Sequence, residues 1–248
     1  MTWLVAHRGG AALQMENTQK AFDKALKIGV DGLECDLQLS REGVPILFHD
    51  RTLAKFKFFQ KRVKQFSWNE IQTFPKQRYK SWTISGKQLM TYREFLKKYA
   101  KKQRLFIELK SRIGDRQDGT SKKLVDSLIK VHKEVFPPVD SSYFMSFDSD
   151  LMQYVKKKLS KYNLIQLVEE PLQLKQNLLK GFFGVGLPVQ KIDKELVDRC
   201  HRWGLNVLVY TCNGPIQLSR MKRAGVDVIV SDRPDWIKQH WKVLSEIS

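Results

Sequence analysis

Cysteine is scarce in this 248-residue chain: Cys35, Cys200 and Cys212, none of them in a CxxC spacing. That argues against a disulfide framework or a thiolate zinc site as the organising feature. No run approaches the roughly 18 apolar residues that span a bilayer, and the N-terminus lacks a basic region followed by an apolar core and a cleavage site. A cytoplasmic protein is expected, with the inner membrane surface as a candidate peripheral site. No GxGxxG opens a helix after the first apolar run, so a dinucleotide fold lacks its usual signature. Repeats and low-complexity tracts are absent, and glycine and proline are scattered, which disfavours disordered and fibrous classes. Acidic residues are also short: 26 Asp and Glu against 44 Lys and Arg leave a formal charge of +18. This biases weak encounters toward polyanions and anionic lipid surfaces without fixing fold or substrate.

What is present is an alternation. Short apolar runs occur at 3–6, 32–37, 105–109, 143–147, 164–168, 182–187, 206–211 and 226–232. Amphipathic stretches lie around 18–28, 91–102, 120–134, 149–160, 172–180, 193–203, 215–224 and 235–247. This rhythm predicts a (β/α)8 TIM barrel, with a doubly wound sheet as the alternative. The whole chain, 1–248, is read as one barrel domain. Asn17 or Thr18 caps the first helix, Gly29 ends it, and Pro215 and Gly225 bracket the seventh. Trp236, Ile237, Trp241 and Leu244 give the last helix a broad apolar face.

Two segments break the alternation. "VPILFHD", 44–50, follows "GLECDLQLS" too closely for a parallel crossover, so a β-hairpin about Glu42-Gly43 is predicted. A turn centred on the 42–43 bond sets Asp36 opposite His49. Residues 51–90 hold ten Lys or Arg against one Glu, interleaved with aromatics such as Phe56, Phe59, Phe74 and Trp82. The plain reading is a small basic insertion at the catalytic end, its aromatics packed on the barrel and its charges in solvent. The functional reading is a lip that attracts phosphorylated substrates or an anionic membrane. Nucleic acid is the weaker candidate, because no recognised binding module accompanies the charge.

Chemistry concentrates at predicted strand ends. In "LECDL" Glu34 and Asp36 are two apart and share a face, while Cys35 points to the surrounding helices. "LFIELK" puts Glu108 and Lys110 in the same relation. Glu34, Asp36 and Glu108 form an oxygen set suited to one divalent cation, Mg²⁺ or Ca²⁺, the alternative being an ion-pair network. His7 and His49, at the ends of their strands, suit paired acid/base work, one taking a proton and the other giving one; either alone also suits a structural role. Arg8 matches a phosphate bidentately, Lys110 serves as a point charge or a salt-bridge partner, and Asn17 orients an oxygen or caps the helix. His132, His201 and His240 fall within helical stretches and are read as surface or packing residues.

The pieces "HRGG" 7–10, "ENT" 16–18, "LECDLQLSREGVPILFHD" 33–50, "IELK" 107–110, "SF" 146–147, "YTCN" 210–213 and "GVDVIVSDRP" 225–234 together resemble the glycerophosphodiester phosphodiesterase family. The resemblance covers nearly the whole chain apart from 51–90. It implies Glu34, Asp36 and Glu108 as metal ligands, His7 and His49 as the acid/base pair, and Arg8 and Lys110 as phosphate contacts. Asn17 and Asn213 resemble supporting polar residues of the pocket. The implied reaction releases glycerol 3-phosphate and an alcohol from a small glycerophosphodiester, with Mg²⁺ or Ca²⁺. Departures include Ser40 and Glu42-Gly43 at the turn, Tyr210 where Trp is common, and Ala54-Lys55 after "HDRTL". The rival readings are a phospholipase D-like enzyme or phosphodiester lyase acting on lysophospholipid, and a non-enzymatic basic membrane or nucleic-acid binding protein.

Overall fold

The computed structural model describes residues 1–243. Its elements run β1 (Trp3–Ala6), α1 (Gln19–Ile28), β2 (Gly32–Leu39), β3 (Pro45–Leu47), β4 (Thr52–Leu53), β5 (Phe58–Arg62), α2 (Trp68–Thr73), β6 (Gln77–Tyr79), β7 (Trp82–Ile84) and α3 (Tyr92–Tyr99). They continue with β8 (Arg104–Leu109), α4 (Ile113–Gln117), α5 (Thr120–Val135), β9 (Ser142–Ser146), α6 (Ser149–Lys158), β10 (Asn163–Leu167) and α7 (Gln176–Leu179). The last are β11 (Gly184–Pro188), α8 (Lys194–Arg202), β12 (Asn206–Tyr210), α9 (Pro215–Ala224), β13 (Val228–Ser231) and α10 (Pro234–Val243). Strands β1, β2 and β8 to β13 pair in parallel, and β1 bonds to both β2 and β13, closing an eight-stranded barrel. That closure rules out the doubly wound alternative, whose sheet stays open.

The predicted rhythm has a simple cause: each barrel strand is buried on both faces. Val5, Phe106, Tyr143, Met145, Ile165, Leu208 and Val230 fill the interior, while a larger shell that includes Leu33, Cys35, Ile107, Phe144 and Val209 packs against the helices. Alternate residues of β2 thus serve two environments, with Cys35 in the outer shell. Thr18, rather than Asn17, is the cap of α1, accepting a hydrogen bond from the Ala21 amide, and Gly29 ends the helix at φ 76°. Ile237 of the closing helix is fully buried, with Trp236 and Trp241 packed beside it; Leu244 and the end of the predicted helix lie outside the described residues.

Two expectations need correction. The predicted helix at 172–180 is a 3-10 turn, Pro171–Gln173, followed by the single turn of α7. Leu172 is 95% exposed and only Leu179 of α7 is buried, so no apolar stripe exists to hold a longer helix. The hairpin is present, since β3 runs antiparallel to β2, but its register is shifted by one. Leu37 pairs with Leu47 and Leu39 with Pro45, placing Asp36 level with Phe48, whose amide donates to the Asp36 carbonyl at 3.0 Å, and not with His49. The loop Ser40–Val44 is odd in length: the Ser40 amide reaches the Val44 carbonyl at 3.0 Å and Gly43 takes φ 86°, centring the turn on Glu42. The ladder stops at Leu47, and Gln38 Nε2 holds the departing chain by donating to the Phe48 and Asp50 carbonyls at 2.7 and 2.8 Å.

The 51–90 segment builds two small hairpins, β4–β5 and β6–β7, and the short helix α2 over a core of its own. Phe56, Ile71, Phe74 and Ile84 pack there against Ile46 and Phe48 of the β3 arm, with Phe58, Phe66 and Trp82 at the margin. Most of the aromatics therefore follow the plain reading; Phe59, 71% exposed, does not.

His132 on α5 is buried between two phenols, its Nε2 2.7 Å from Tyr92 Oη and its Nδ1 3.0 Å from Tyr162 Oη. Burial lowers its pKa to about 4. Above the unfolded value near 6.5 the imidazole is neutral in both states; as pH falls, only the unfolded chain takes up the proton, so stability is lost. Urea unfolding should show the wild type losing about 2 kcal/mol more than His132→Gln between about pH 7 and about pH 5. Equal losses in the two proteins would refute a neutral, buried His132.

Candidate active site

The chain leaves β1 in a tight turn at His7-Arg8-Gly9-Gly10, with φ of 53°, 83° and 90° at Arg8, Gly9 and Gly10. Gly9 is required twice over: its φ is left-handed, and a Cβ there would lie 2.7 Å from Ala21 Cβ and 2.9 Å from the backbone of α1. This turn presents the His7 ring and the Arg8 amide to the barrel mouth, where the amide donates to Glu34 Oε2 at 2.8 Å.

Glu34 and Asp36 project from β2 and Glu108 from β8, where Asp36 and Glu108 are direct partners in the parallel ladder. All three are buried, and each offers an oxygen within 4.8 Å of the others. Lys110 Nζ lies 2.5 Å from Glu108 Oε1 and 2.8 Å from Asp36 Oδ1. Arg8 Nε is 3.1 Å from Asp36 Oδ2, and Asn17 Nδ2 donates to that same oxygen at 2.8 Å. The carboxyls divide the strain unequally. Burial by itself raises the pKa of Asp36, but Lys110, Arg8, His49 and His7 outweigh it and hold the group well below the carboxylate range. Glu34 goes the other way, pushed well above that range by burial and then by the charge of Asp36.

A divalent cation fits this donor set. Glu34 Oε1 is a buried acceptor without a partner, Asp36 Oδ1 meets only Lys110, and three carboxylate oxygens are the hard donors that Mg²⁺ or Ca²⁺ takes. A cation here would also offset the Asp36 charge that, after burial, raises the Glu34 carboxyl.

Each histidine is backed by an aspartate that the sequence reading did not single out. His7 Nδ1 is 2.6 Å from Asp232 Oδ1 at the end of β13, leaving Nε2 facing inward, 3.9 Å from Glu34 Oε2. Asn213 stands behind Asp232, donating from Nδ2 to Asp232 Oδ2 at 2.7 Å and accepting the Asp232 amide at 2.9 Å. His49 Nδ1 is 3.0 Å from Asp50 Oδ1, and Lys55 Nζ is 3.2 Å from Asp50 Oδ2. The buried Lys55 also pairs with Glu16, which in turn accepts from Arg8 Nη1 at 2.9 Å. Burial opposes ionisation of Asp50, but His49 and Lys55 prevail and draw it down to about 2. The nine residues singled out from the sequence thus gather at one end of the barrel, and Glu16, Asp50, Lys55 and Asp232 join them. An aspartate directly after His49, and another at the end of the last strand, were the available signals.

The arrangement presents two imidazoles with fixed rings beside a nest of carboxylates, with Arg8 and Lys110 as donors for an anion. Among known proteins, the model of the glycerophosphoryl diester phosphodiesterase family matches residues 7–236. A glycerophosphodiester phosphodiesterase of Caldanaerobacter subterraneus subsp. tengcongensis is 28% identical over 243 residues, covering 94% of this chain and 95% of that protein. One from Bacillus altitudinis is 27% identical over 246 residues, covering 95% and 96%. In structure, the chain is similar to an Oleispira antarctica phosphodiesterase in complex with the product sn-glycerol-3-phosphate, with TM-score 0.83, 21% identity and 98% and 97% of the two chains covered. A glycerophosphodiester phosphodiesterase from Parabacteroides distasonis superposes with TM-score 0.79 at 22% identity, covering 99% and 98%. These structural likenesses concern the barrel; the match running from His7 to Trp236 concerns the lineage, and by it the chain belongs to the glycerophosphoryl diester phosphodiesterase family and is an enzyme, a phosphoric diester hydrolase.

Proposed function

We propose that the protein hydrolyses small glycerophosphodiesters to glycerol 3-phosphate and an alcohol, with one divalent cation, Mg²⁺ or Ca²⁺, held by Glu34, Asp36 and Glu108. The observation that carries this reading is the buried carboxylate triad flanked by two aspartate-backed histidines at one barrel end. Family membership sets aside the non-enzymatic alternative, and the triad supports a cation-dependent reaction. When bound, the cation supplies Lewis-acid polarisation of a phosphate oxygen.

The remaining work falls to the chain. Arg8 and Lys110 offer N–H donors to the other phosphate oxygens, stabilising charge as it builds in the transition state. Asp232 fixes the Nδ1–H tautomer of His7, so its Nε2 is the atom that exchanges a proton with substrate. Asp50 does the same for His49, which likewise frees Nε2 for proton transfer. One imidazole accepts the proton of the attacking oxygen and the other protonates the departing alkoxide. The attacking oxygen is either water or the glycerol 2-hydroxyl, the latter giving a cyclic phosphate that water then opens. Asn17 holds Asp36, and Asn213 holds Asp232, each at one remove from the substrate. The three cysteines, all buried and unpaired, suit a reducing cytoplasm.

Three outcomes test the reading. His7→Ala and His49→Ala should each lower kcat for glycerol 3-phosphate release from glycerophosphocholine by about 10²- to 10⁴-fold while leaving the far-ultraviolet circular dichroism unchanged; near-normal turnover in either would remove the paired acid/base assignment. Asp232→Asn and Asp50→Asn should cost about tenfold or more in kcat with little change in KM, because the ring loses its tautomer rather than the site its substrate. Chelation should abolish turnover and added Mg²⁺ or Ca²⁺ restore it, with Glu34→Gln and Glu108→Gln shifting the restoring concentration upward by about tenfold or more. Turnover indifferent to chelator would end the cation proposal.

A further inference from the structure

Eight large apolar side chains are exposed among the described residues, and five of them share one end of the molecule. Phe59, Ile113, Phe147, Leu172 and Ile216 lie on segments that follow β2, β8, β9, β10 and β12 at their C-terminal ends. Because the barrel strands are parallel, these segments all rise from the end that carries Glu34, Asp36 and Glu108. Leu172 is 95% exposed, Ile216 84%, Phe59 71% and Ile113 66%, so these four project, while Phe147, 41% exposed, rests edge-on against the Tyr210 ring. A single exposed apolar residue means nothing, but one on each of five separate connections around a mouth is a pattern.

Around Phe59 and Ile113 the charge left without an ion-pair partner is basic. Arg51, Arg62 and Arg112 have no carboxylate within ion-pair distance among the described residues. They are crowded: a Cβ on Gly114, next to Ile113, would lie 3.1 Å from Arg62 Nη1 and 3.8 Å from Arg51 Nη2. The nearby acids are already taken, Asp115 and Asp118 both by Lys64 at 2.6 and 2.7 Å, and Glu170 by Lys191 at 2.8 Å. Of the two exposed acids beside Leu172, Glu170 is held by Lys191 and Glu169 is not in an ion pair among the described residues. Phe59 itself stands on the β4–β5 hairpin between the exposed Lys57 and Lys61.

We propose that this end of the barrel docks on an anionic lipid bilayer, the five apolar side chains entering the headgroup region while Arg51, Arg62 and the hairpin lysines meet lipid phosphates. Isolated apolar tips on separate loops make no groove for a peptide, whereas a deformable surface accepts each where it stands. The net charge of +18 favours the same partner, each basic group near an anionic surface adding to the attraction. No helix among the described residues is long and apolar enough to cross a membrane, so the attachment is peripheral. The proposal rests on no step of the reaction; its consequence is to bring the mouth to the surface where glycerophosphate headgroups are concentrated.

The test is co-sedimentation of the full chain with vesicles of phosphatidylcholine containing a quarter phosphatidylglycerol, against vesicles of phosphatidylcholine alone. Binding should require the anionic lipid and weaken as salt is raised. The double variant Phe59→Ser with Leu172→Ser should bind about tenfold or more weakly, while turnover of soluble glycerophosphocholine stays within about twofold of wild type. Phe136→Ser, at an equally exposed phenylalanine that precedes β9 at the opposite end, should bind as wild type does. No vesicle binding by the wild type would overturn the proposal and leave the face to an acidic protein partner. Equal binding to both vesicle types, equal loss in Phe136→Ser, or no loss in the double variant would overturn it as well. Because glycerophosphocholine turnover is read separately, failure of docking and failure of the proposed reaction are distinguishable.

Discussion

Three carboxylates buried within 4.8 Å of one another at the end of a closed barrel set the requirement that the surrounding residues meet. Removing ionised carboxylates from water is costly, and like charges at this range add to the cost. The structure answers with Lys110 between Asp36 and Glu108, with the Arg8 guanidinium and the Asn17 side-chain amide on one oxygen of Asp36, and with the Arg8 backbone amide on Glu34. Those four groups come from the β1 turn, the residue before the α1 cap and the end of β8. The HRGG turn has a physical purpose in this light: its left-handed backbone, permitted by Gly9, aims an amide at Glu34 and a guanidinium at Asp36 at once.

The histidines extend the same logic outward. An imidazole used as acid or base needs one nitrogen committed, so that the other is presented in a single state. For His7 the committed partner is Asp232, 225 residues away along the chain, and contact between them exists because β1 pairs with β13 when the barrel closes. For His49 the partner is its neighbour Asp50, itself anchored by Lys55 from the start of the insertion. Glu16 joins Lys55 to Arg8, so ion pairs tie the His49 assembly to the residue directly after His7 and, through it, to Asp36. A change in the insertion that displaced Lys55 would therefore reach the site through Asp50 and Glu16, without touching a reacting atom.

The insertion has two faces with different physics. Its inner face is an ordinary small core, in which Phe56, Phe66 and Phe74 pack ring to ring at 5.1 to 5.3 Å, continuous with the β3 arm that carries His49. This packing holds the segment around His49 even though the strand ladder has ended two residues earlier. The outer face keeps charge and Phe59 in solvent. Aromatic residues spread through 51–90 look alike in sequence, and only their direction separates core from surface.

Much of the fold was legible before any coordinates. Eight apolar runs alternating with amphipathic stretches announce a barrel because strands buried on both faces leave continuous apolar sequence. The two-residue spacing of Glu34 and Asp36, and of Glu108 and Lys110, places each pair on one face, since the strand period is two. The register slip from His49 to Phe48 was not legible, because it turns on whether the loop holds an even or an odd number of residues. Nor was the short helix at 176–179, whose sequence is amphipathic but which buries only Leu179. The sequence by itself determined which residues share a strand face and which segments are strands, as these follow from local periodicity. Tertiary structure alone decided that Asp232 meets His7, that Lys55 meets Glu16, and which apolar tips share one end, since barrel closure is a property of all eight strands together.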